Sequence, residues 1–225
     1  MSASSYPMTD DHADLPARVA AAAALSRLGH ALVRHRADPA VLERLAEAAE
    51  RLAGDIESEP RRERRMELLS HPGFESAAQR GSLADLMADG AFVDAFEDSP
   101  ISGSANPLSM GLRVGRDGEE AVGQIVIQHG WQGAPGRAHG GVVAAVIDEV
   151  YGALLPIIGC MAFTGELTVR YVAPCPIERP LEFRARLLDR QGRKLYVECE
   201  GRADGELFAT STATFIEIDL DQFRR

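Results

Sequence analysis

A histidine followed by two glycines, with a carboxylate nine residues after the histidine, is the part of this sequence best suited to chemistry. The residues are His139, Gly140, Gly141 and Asp148. The glycines open an apolar helical segment, and the start of a helix presents backbone N–H groups without intrahelical acceptors at the positive end of the helix dipole. Because glycine has no side chain, a ligand can approach those N–H groups closely. The pattern predicts a turn that polarises a carbonyl oxygen.

Asp148 is the second chemical element of this motif. It lies among valine, alanine and isoleucine residues, where an unpaired carboxylate is costly to bury. A catalytic carboxylate, one side-chain reach from the turn, would explain it. The alternative is a carboxylate that pairs with an arginine or caps a neighbouring loop. Glu149 keeps that alternative open, because one of two adjacent carboxylates could simply be solvated.

The composition is that of a soluble globular protein. The chain has 225 residues, enough for one large or two small domains, with 45% hydrophobic and 26% charged residues. Its net charge of −10 argues against nucleic acid or an anionic membrane as the main partner. A local basic pocket for a phosphorylated ligand remains compatible with this charge.

The cysteines and histidines do not form a pattern typical of a metal site. Cys160, Cys175 and Cys199 lack metal-ligand spacing, and an odd number without a Cys-x-x-Cys pair fits structural thiols in a reducing compartment. The remaining histidines show no metal-binding spacing either. We therefore expect no metal.

The N-terminus argues for a cytoplasmic protein. It carries Asp10, Asp11 and Asp14 and lacks the basic segment of a secretory signal. No run of apolar residues approaches the roughly 20 needed to span a bilayer.

The first part of the chain has a helical pattern. Residues 15–98 are rich in Ala, Leu, Arg and Glu, and apolar residues recur at helical spacing from Leu15 to Leu32 and from Val41 to Leu52. Asp38 and Pro39 are typical of a helix start. Two further short helices are predicted in the stretches 59–69 and 82–89. Residues 1–98 are thus predicted as a helical extension that packs on another layer.

Residues 99–225 are predicted as a separate α+β domain. A loop rich in Ser, Pro, Gly and Asn precedes a hairpin, one apolar helix that Pro156 and Gly159 end, and four more strands. That order favours an antiparallel sheet wrapped around a long buried helix. The predicted hairpin strands are 108–114 and 121–128, the helix is 141–154, and the later strands lie near 163–173, 181–190, 194–203 and 206–217.

These motifs together resemble the hotdog-fold acyl-coenzyme A thioesterase superfamily, and within it the PaaI-like branch. The loop 132–138 before the His-Gly-Gly motif is similar to the branch that includes thioesterase superfamily members four and five, and residues 164–174 resemble the family's third strand. The resemblance covers about 105–218. It implies a hotdog fold, to which the N-terminal helices are an extension without a counterpart in the family core.

The resemblance implies a role for four catalytic residues. Asp148 would act as general base or nucleophile, and the N–H group of Gly140 would bind the thioester oxygen as it becomes an oxyanion. Thr164 would hold the water or the carboxylate in line, although a threonine suits a strand in any case. His139 would help to polarise the carbonyl or would only set the turn. In the family the carboxylate lies across a dimer interface from the turn, which implies a homodimer and possibly a tetramer.

Five residues are expected to bind the substrate. Gly141 and Val172 flank the two catalytic segments, and residues 192–194 resemble a hairpin that contacts coenzyme A. Arg170, Arg193 and Lys194 could bind its phosphates. The competing interpretation for each of these cations is a solvated strand edge.

The predicted function is therefore hydrolysis of an acyl-coenzyme A thioester, with coenzyme A as part of the substrate and no cofactor. One alternative is a non-catalytic acyl-coenzyme A binder or sensor, because one fold hosts both kinds of protein. Another is that the helical half carries the function and the hotdog domain only dimerises. A hotdog hydratase is disfavoured, because the Asp/His pair that its chemistry uses is not evident here.

Overall fold

The computed structural model describes residues 14–62, 92–93 (backbone only) and 97–218, and it contains three α-helices and seven strands in those ranges. The helices are α1 (Leu15–Arg34), α2 (Pro39–Glu57) and α3 (Gly140–Ile157), and a 3-10 turn spans His129–Trp131. The strands are β1 (Phe92–Val93), β2 (Arg113–Asp117), β3 (Glu120–Val126), β4 (Ala162–Tyr171), β5 (Pro180–Gln191), β6 (Lys194–Ala203) and β7 (Glu206–Glu217).

All seven strands form one antiparallel sheet in the order β1-β2-β3-β5-β6-β7-β4. Hairpins connect β5, β6 and β7, whereas β4 follows α3 and joins the sheet at its far edge. There β4 pairs with β7 and has no second strand partner among the described residues. The antiparallel sheet and long central helix confirm the predicted fold class.

The core lies between α3 and the concave side of the sheet. Buried residues of α3 recur at helical spacing, among them Val143, Val146, Val150 and Leu154, and they pack mainly against β3 and β5. Gly123 on β3 permits this packing, because a Cβ atom there would lie 2.5 Å from Val150 Cγ2. By length and composition α3 could also cross a membrane, contrary to the expectation that no segment approaches that length. Core helices have the same composition, and α3 is the core helix here.

The N-terminal helices are largely exposed. Only Ala22 of α1 is buried, and no residue of α2 is. Arg18 anchors α1 by donating to Asp98, with 2.5 Å between Nη2 and Oδ1. Asp38 caps α2 as predicted, because its side chain accepts a hydrogen bond from the backbone N–H of Ala40.

Several predicted element bounds were wrong. Residues 108–112 are not a strand, because Asn106 Oδ1 accepts from Leu108 N–H and Ser109 Oγ accepts from Gly111 N–H, which turns the chain. Strand β3 ends at Val126 and β4 ends at Tyr171, each two residues before its predicted end. The central helix was predicted to end before Pro156, but it continues through Pro156 to Ile157. A proline this near the end of a helix removes only one backbone hydrogen bond.

The predicted short helices mostly lie outside the described residues. Residues 59–62 are described and are not helical, whereas 63–69 and 82–89 are not described.

Candidate active site

The turn before α3 leaves a single backbone donor available. His139 caps the helix: its Nδ1 accepts from Gly141 N–H at 3.0 Å, and its carbonyl accepts from Val142 N–H, also at 3.0 Å. The N–H of His139 itself donates to the carbonyl of Trp131 at 3.0 Å. Within the described part of the chain, Gly140 N–H is the one donor of this first turn without an acceptor. It is the group to which the sequence assigns the polarising role.

In this arrangement the His139 side chain contacts the backbone of the turn, which favours the turn-setting alternative for this residue. The contact uses Nδ1 of the ring as a hydrogen-bond acceptor. The same contact occupies the N–H of Gly141, so Gly141 contributes its small size to the turn rather than a second free donor.

Asp148 and Thr164 are brought together. Thr164 Oγ1 donates to Asp148 Oδ1 at 2.9 Å. A β-bulge between Thr164 and Glu166 interrupts the register of β4 against β7 beside this contact, and bulges re-aim side chains in this way. Asp148 is half-buried, and among the described residues no arginine forms an ion pair with it.

Glu149 has a different role from Asp148. Its Oε1 accepts hydrogen bonds from Ser99 Oγ at 2.6 Å and from Ser102 Oγ. Ser99 is buried, and its hydroxyl also accepts from two backbone N–H groups of its own loop. The loop-capping carboxylate of the sequence alternative is thus Glu149, which leaves Asp148 to Thr164.

Tyr171 is a site residue that the sequence reasoning missed. Its hydroxyl donates to the carbonyl of Gly140 at 2.7 Å, although the side chain is 49% exposed. A Cβ atom on Gly140 would lie 3.3 Å from this hydroxyl oxygen, so the turn and the tyrosine are closely packed. The available signal was a hydroxyl-bearing aromatic residue at the end of the strand that contains Thr164.

The predicted site residues fall into two groups at opposite ends of β4. The turn, Tyr171, Arg170 and Val172 form one group, which we call the turn half-site. Asp148, Thr164, Arg193 and Lys194 form the other, the carboxylate half-site, because Lys194 pairs with Ile216 next to the partner of Thr164. From Thr164 to Tyr171 the strand runs about 20 Å.

The expectation that Asp148 lies one side-chain reach from the turn was wrong within one chain. Gly140 and Asp148 are eight residues apart on the continuous helix α3, which corresponds to about 12 Å along the axis. One thioester carbonyl cannot contact both groups of the same chain.

The substrate-binding candidates are exposed. Arg170 and Lys194 lie on exposed positions of β4 and β6, and Val172 is 45% exposed just beyond β4. Arg193 lies in the β5–β6 turn, where its Nε donates to the carbonyl of Glu217 at 2.9 Å. The structure therefore leaves the cationic side chains accessible, with Arg193 partly engaged.

The three cysteines are free and buried, and no metal cluster is present in the described ranges. Burial raises the pKa of Cys160 to about 11 and that of Cys175 and Cys199 to about 12. These thiols stay protonated near neutral pH and are poor nucleophiles or metal ligands. No group of three or more His, Cys, Asp or Glu side chains in those ranges is arranged to hold a metal ion.

Residues 135–209 match the family model of the thioesterase superfamily. The chain is similar to acyl-coenzyme A thioesterase THEM4 of Mus musculus, with 36% identity over 93 residues, which cover 40% of each chain. It is also similar to acyl-coenzyme A thioesterase THEM5 of Homo sapiens, with 29% identity over 93 residues, covering 40% of this chain and 38% of that one. The match thus spans about two fifths of the length of these relatives.

A solved structure matches more of the chain. The crystal structure of protein RHA08564, a thioesterase superfamily protein, aligns with a TM-score of 0.69 and 25% identity. The alignment covers 88% of this chain and 94% of that one. Coverage this high means that the alignment includes part of residues 1–98 as well as residues 99–225.

Proposed function

Because residues 135–209 match the family model of the thioesterase superfamily and the chain has the hotdog fold, we propose that this protein hydrolyses acyl-coenzyme A thioesters. The observation that carries the proposal is the pair of half-sites: an unoccupied N–H at Gly140, and a carboxylate at Asp148 aligned by Thr164. The relatives named as acyl-coenzyme A thioesterases support the substrate class.

Asp148 is the base or the nucleophile in this proposal. As base it takes a proton from water while the water oxygen attacks the thioester carbon. The carbonyl oxygen gains negative charge and is stabilised by Gly140 N–H. The C–S bond then breaks, and coenzyme A leaves as a thiolate that takes up the proton. As nucleophile, Asp148 attacks the same carbon, the C–S bond breaks with release of the coenzyme A thiolate, and water then hydrolyses the resulting anhydride.

The separation of the half-sites supports a homodimer. Since Gly140 and Asp148 of one chain are about 12 Å apart, a complete site needs the turn half-site of one protomer and the carboxylate half-site of its partner. Antiparallel pairing of two β4 edges about a two-fold axis between Leu167 and Thr168 would set Thr164 opposite the partner's Tyr171. This pairing would also cover the exposed edge of β4.

The remaining features of the proposal concern binding and location. Arg170, Arg193 and Lys194 would bind the phosphates of coenzyme A at the mouth of the site. The hydrolysis uses neither cofactor nor metal. The free, buried cysteines support a reducing compartment such as the cytoplasm.

The decisive experiment is thiol release from a panel of acyl-coenzyme A esters by wild type, Asp148→Asn and Glu149→Gln. We expect Asp148→Asn to lower kcat by about 10²-fold or more, because a positioned base or nucleophile is lost. Glu149→Gln keeps an acceptor for Ser99 and should retain most activity. Thermal melts of the three proteins should coincide.

Two outcomes would contradict the proposal. Equal turnover by Asp148→Asn and wild type would remove Asp148 from the mechanism. A folded wild-type protein that binds acyl-coenzyme A but hydrolyses no ester would be a binder or sensor instead.

A further inference from the structure

The N-terminal helix α1 contacts the loop that leads into the active-site turn. His30 lies near the end of α1, and its Nδ1 accepts a hydrogen bond from Gly130 N–H at 3.0 Å. Gly130 and Trp131 belong to the 3-10 turn at the start of that loop. The contact links residues 100 positions apart in sequence, so it fixes α1 against the site rather than stabilising either segment locally.

The fit between His30 and this loop is close. A Cβ atom on Gly130 would lie 2.5 Å from His30 Nδ1, so only glycine permits the contact. The ring of His30 also meets the ring of Trp131 edge-on, with 6.3 Å between centroids. Trp131 itself is half-buried against the core.

From Trp131 the contacts continue directly to the polarising group. The Trp131 carbonyl accepts from His139 N–H at 3.0 Å, and the His139 side chain caps Gly141. The next residue along the chain from His139 is Gly140, whose N–H is the available donor. Each step is either a hydrogen bond or a covalent link along the chain. The path from α1 to Gly140 consists of backbone groups and the imidazole rings of His30 and His139.

We propose that His30 is a positioning residue for the Gly140 turn, so that helix α1 is part of the active site rather than an accessory layer. This inference rests on the proposed thioesterase activity. It gives the N-terminal extension a function that the family core does not supply: setting the direction in which the oxyanion donor points. A displacement of about 1 Å at such a group can cost about 10²-fold in rate.

The contact requires a neutral imidazole, because a protonated Nδ1 cannot accept. Burial and the neighbouring His129 lower the pKa of His30, which keeps the ring neutral at neutral pH. Several charged and titratable groups surround this contact. Glu178 pairs with Arg34 and with His129, which lies next to Gly130. The groove that His30 lines also contains Arg27, His35, Arg113, Glu182, Arg202 and Asp204. Acidification through the His30 pKa, below 6.5, should therefore break the contact.

The test compares steady-state hydrolysis by wild type, His30→Leu, His30→Asn and His35→Asn. Leucine keeps bulk without an acceptor, whereas the asparagine oxygen can replace Nδ1. We expect His30→Leu to lower kcat about tenfold or more with KM within about twofold. His30→Asn should recover to within about threefold of wild type. His35 follows α1, is exposed and has no such contact, so His35→Asn should match wild type.

A second readout does not depend on activity. Trp131 is the single tryptophan of the chain, so intrinsic fluorescence reports on this loop. Wild-type emission should change with a midpoint below pH 6.5, His129→Gln should keep that transition, and His30→Asn should lack it.

The outcomes separate the two proposals. Unchanged kcat in His30→Leu, or no recovery in His30→Asn, would overturn the positioning role while leaving the thioesterase intact. If the wild type hydrolyses no ester, the proposed function fails, and the fluorescence titration decides the contact by itself. A fluorescence transition that is present in wild type and His129→Gln but lost in His30→Asn supports the contact. A transition present in all three proteins, or lost in His129→Gln as well, refutes it.

Discussion

At the scale of single residues, the turn at Gly140 is held by a side chain outside the His-Gly-Gly…Asp motif. Tyr171 reaches back from the end of β4 to the Gly140 carbonyl at 2.7 Å. The bond ties the first peptide of α3 to the edge strand that carries Thr164. Tyr171 thus orients the donor from the sheet side, while His30 does so from α1.

Replacing Tyr171 by phenylalanine should lower kcat by about two- to twelvefold. The reason is the loss of one hydrogen bond, worth about 0.5–1.5 kcal/mol, to the carbonyl of the residue whose N–H binds the oxyanion. Tyr196→Phe, a half-buried tyrosine on β6, is the matched control and should match wild type. Steady-state kinetics with a single ester measure both. A Tyr171→Phe variant as active as the control would show that the hydroxyl does not position the turn.

The site motif could be located from sequence because its signal is local. Two glycines at a helix start and one carboxylate in an apolar stretch stand out without knowledge of the fold. Tyr171 and His30 could not be found in this way, because their partners are backbone atoms 31 and 100 positions away. A backbone partner does not specify from the sequence which distant side chain contacts it.

At the scale of elements, the strands with clear alternation were the easiest to predict. The strands β5, β6 and β7 were predicted to within a residue, because alternation and the turns at Gln191-Gly192 and Asp204-Gly205 mark them clearly. The segment 108–112 was mispredicted because asparagine and serine side chains bond to the backbone there and replace strand pairing. The boundary between 1–98 and 99–225 stays a prediction.

Substituting Gly123 by alanine should destabilise the fold by about 1–3 kcal/mol, because the new methyl group overlaps Val150. Adding Val150→Ala should recover part of that loss. Urea unfolding of the two variants measures the free energies. Gly152→Ala is the control: its Cβ meets nothing within 4 Å, and alanine favours a helix by about 1 kcal/mol. Additive effects of the Gly123 and Val150 substitutions would disprove the contact.

At the scale of the whole molecule, one chain carries two incomplete sites. The turn half-site and the carboxylate half-site lie at opposite ends of β4, and the sequence could not show this because its spacing suggested proximity. The nine-residue interval that marks the motif is also what separates its members on a rigid helix. In a two-fold dimer, each complete site draws its donor from one protomer and its carboxylate from the other.

Mixing two inactive variants should therefore restore activity. Gly140→Val blocks the turn, and Asp148→Asn removes the carboxylate. In either homodimer, both active sites are therefore inactive. A mixed dimer pairs the intact turn of one chain with the intact Asp148 of the other. With equal amounts and random exchange, about a quarter of wild-type activity should return, since half the dimers are mixed and each has one working site. Activity that stays at the level of the separate variants after exchange would mean that each chain works alone.

The unbroken helix between Gly140 and Asp148 has a mechanical consequence for such a dimer. The donor of one site and the carboxylate of the other are the two ends of one stiff rod, about two turns long. A bound acyl group that pushes the rod along its axis displaces both ends together. In such a dimer, occupancy of one site would then change the geometry of the other without any hinge, and the two sites would not fill independently.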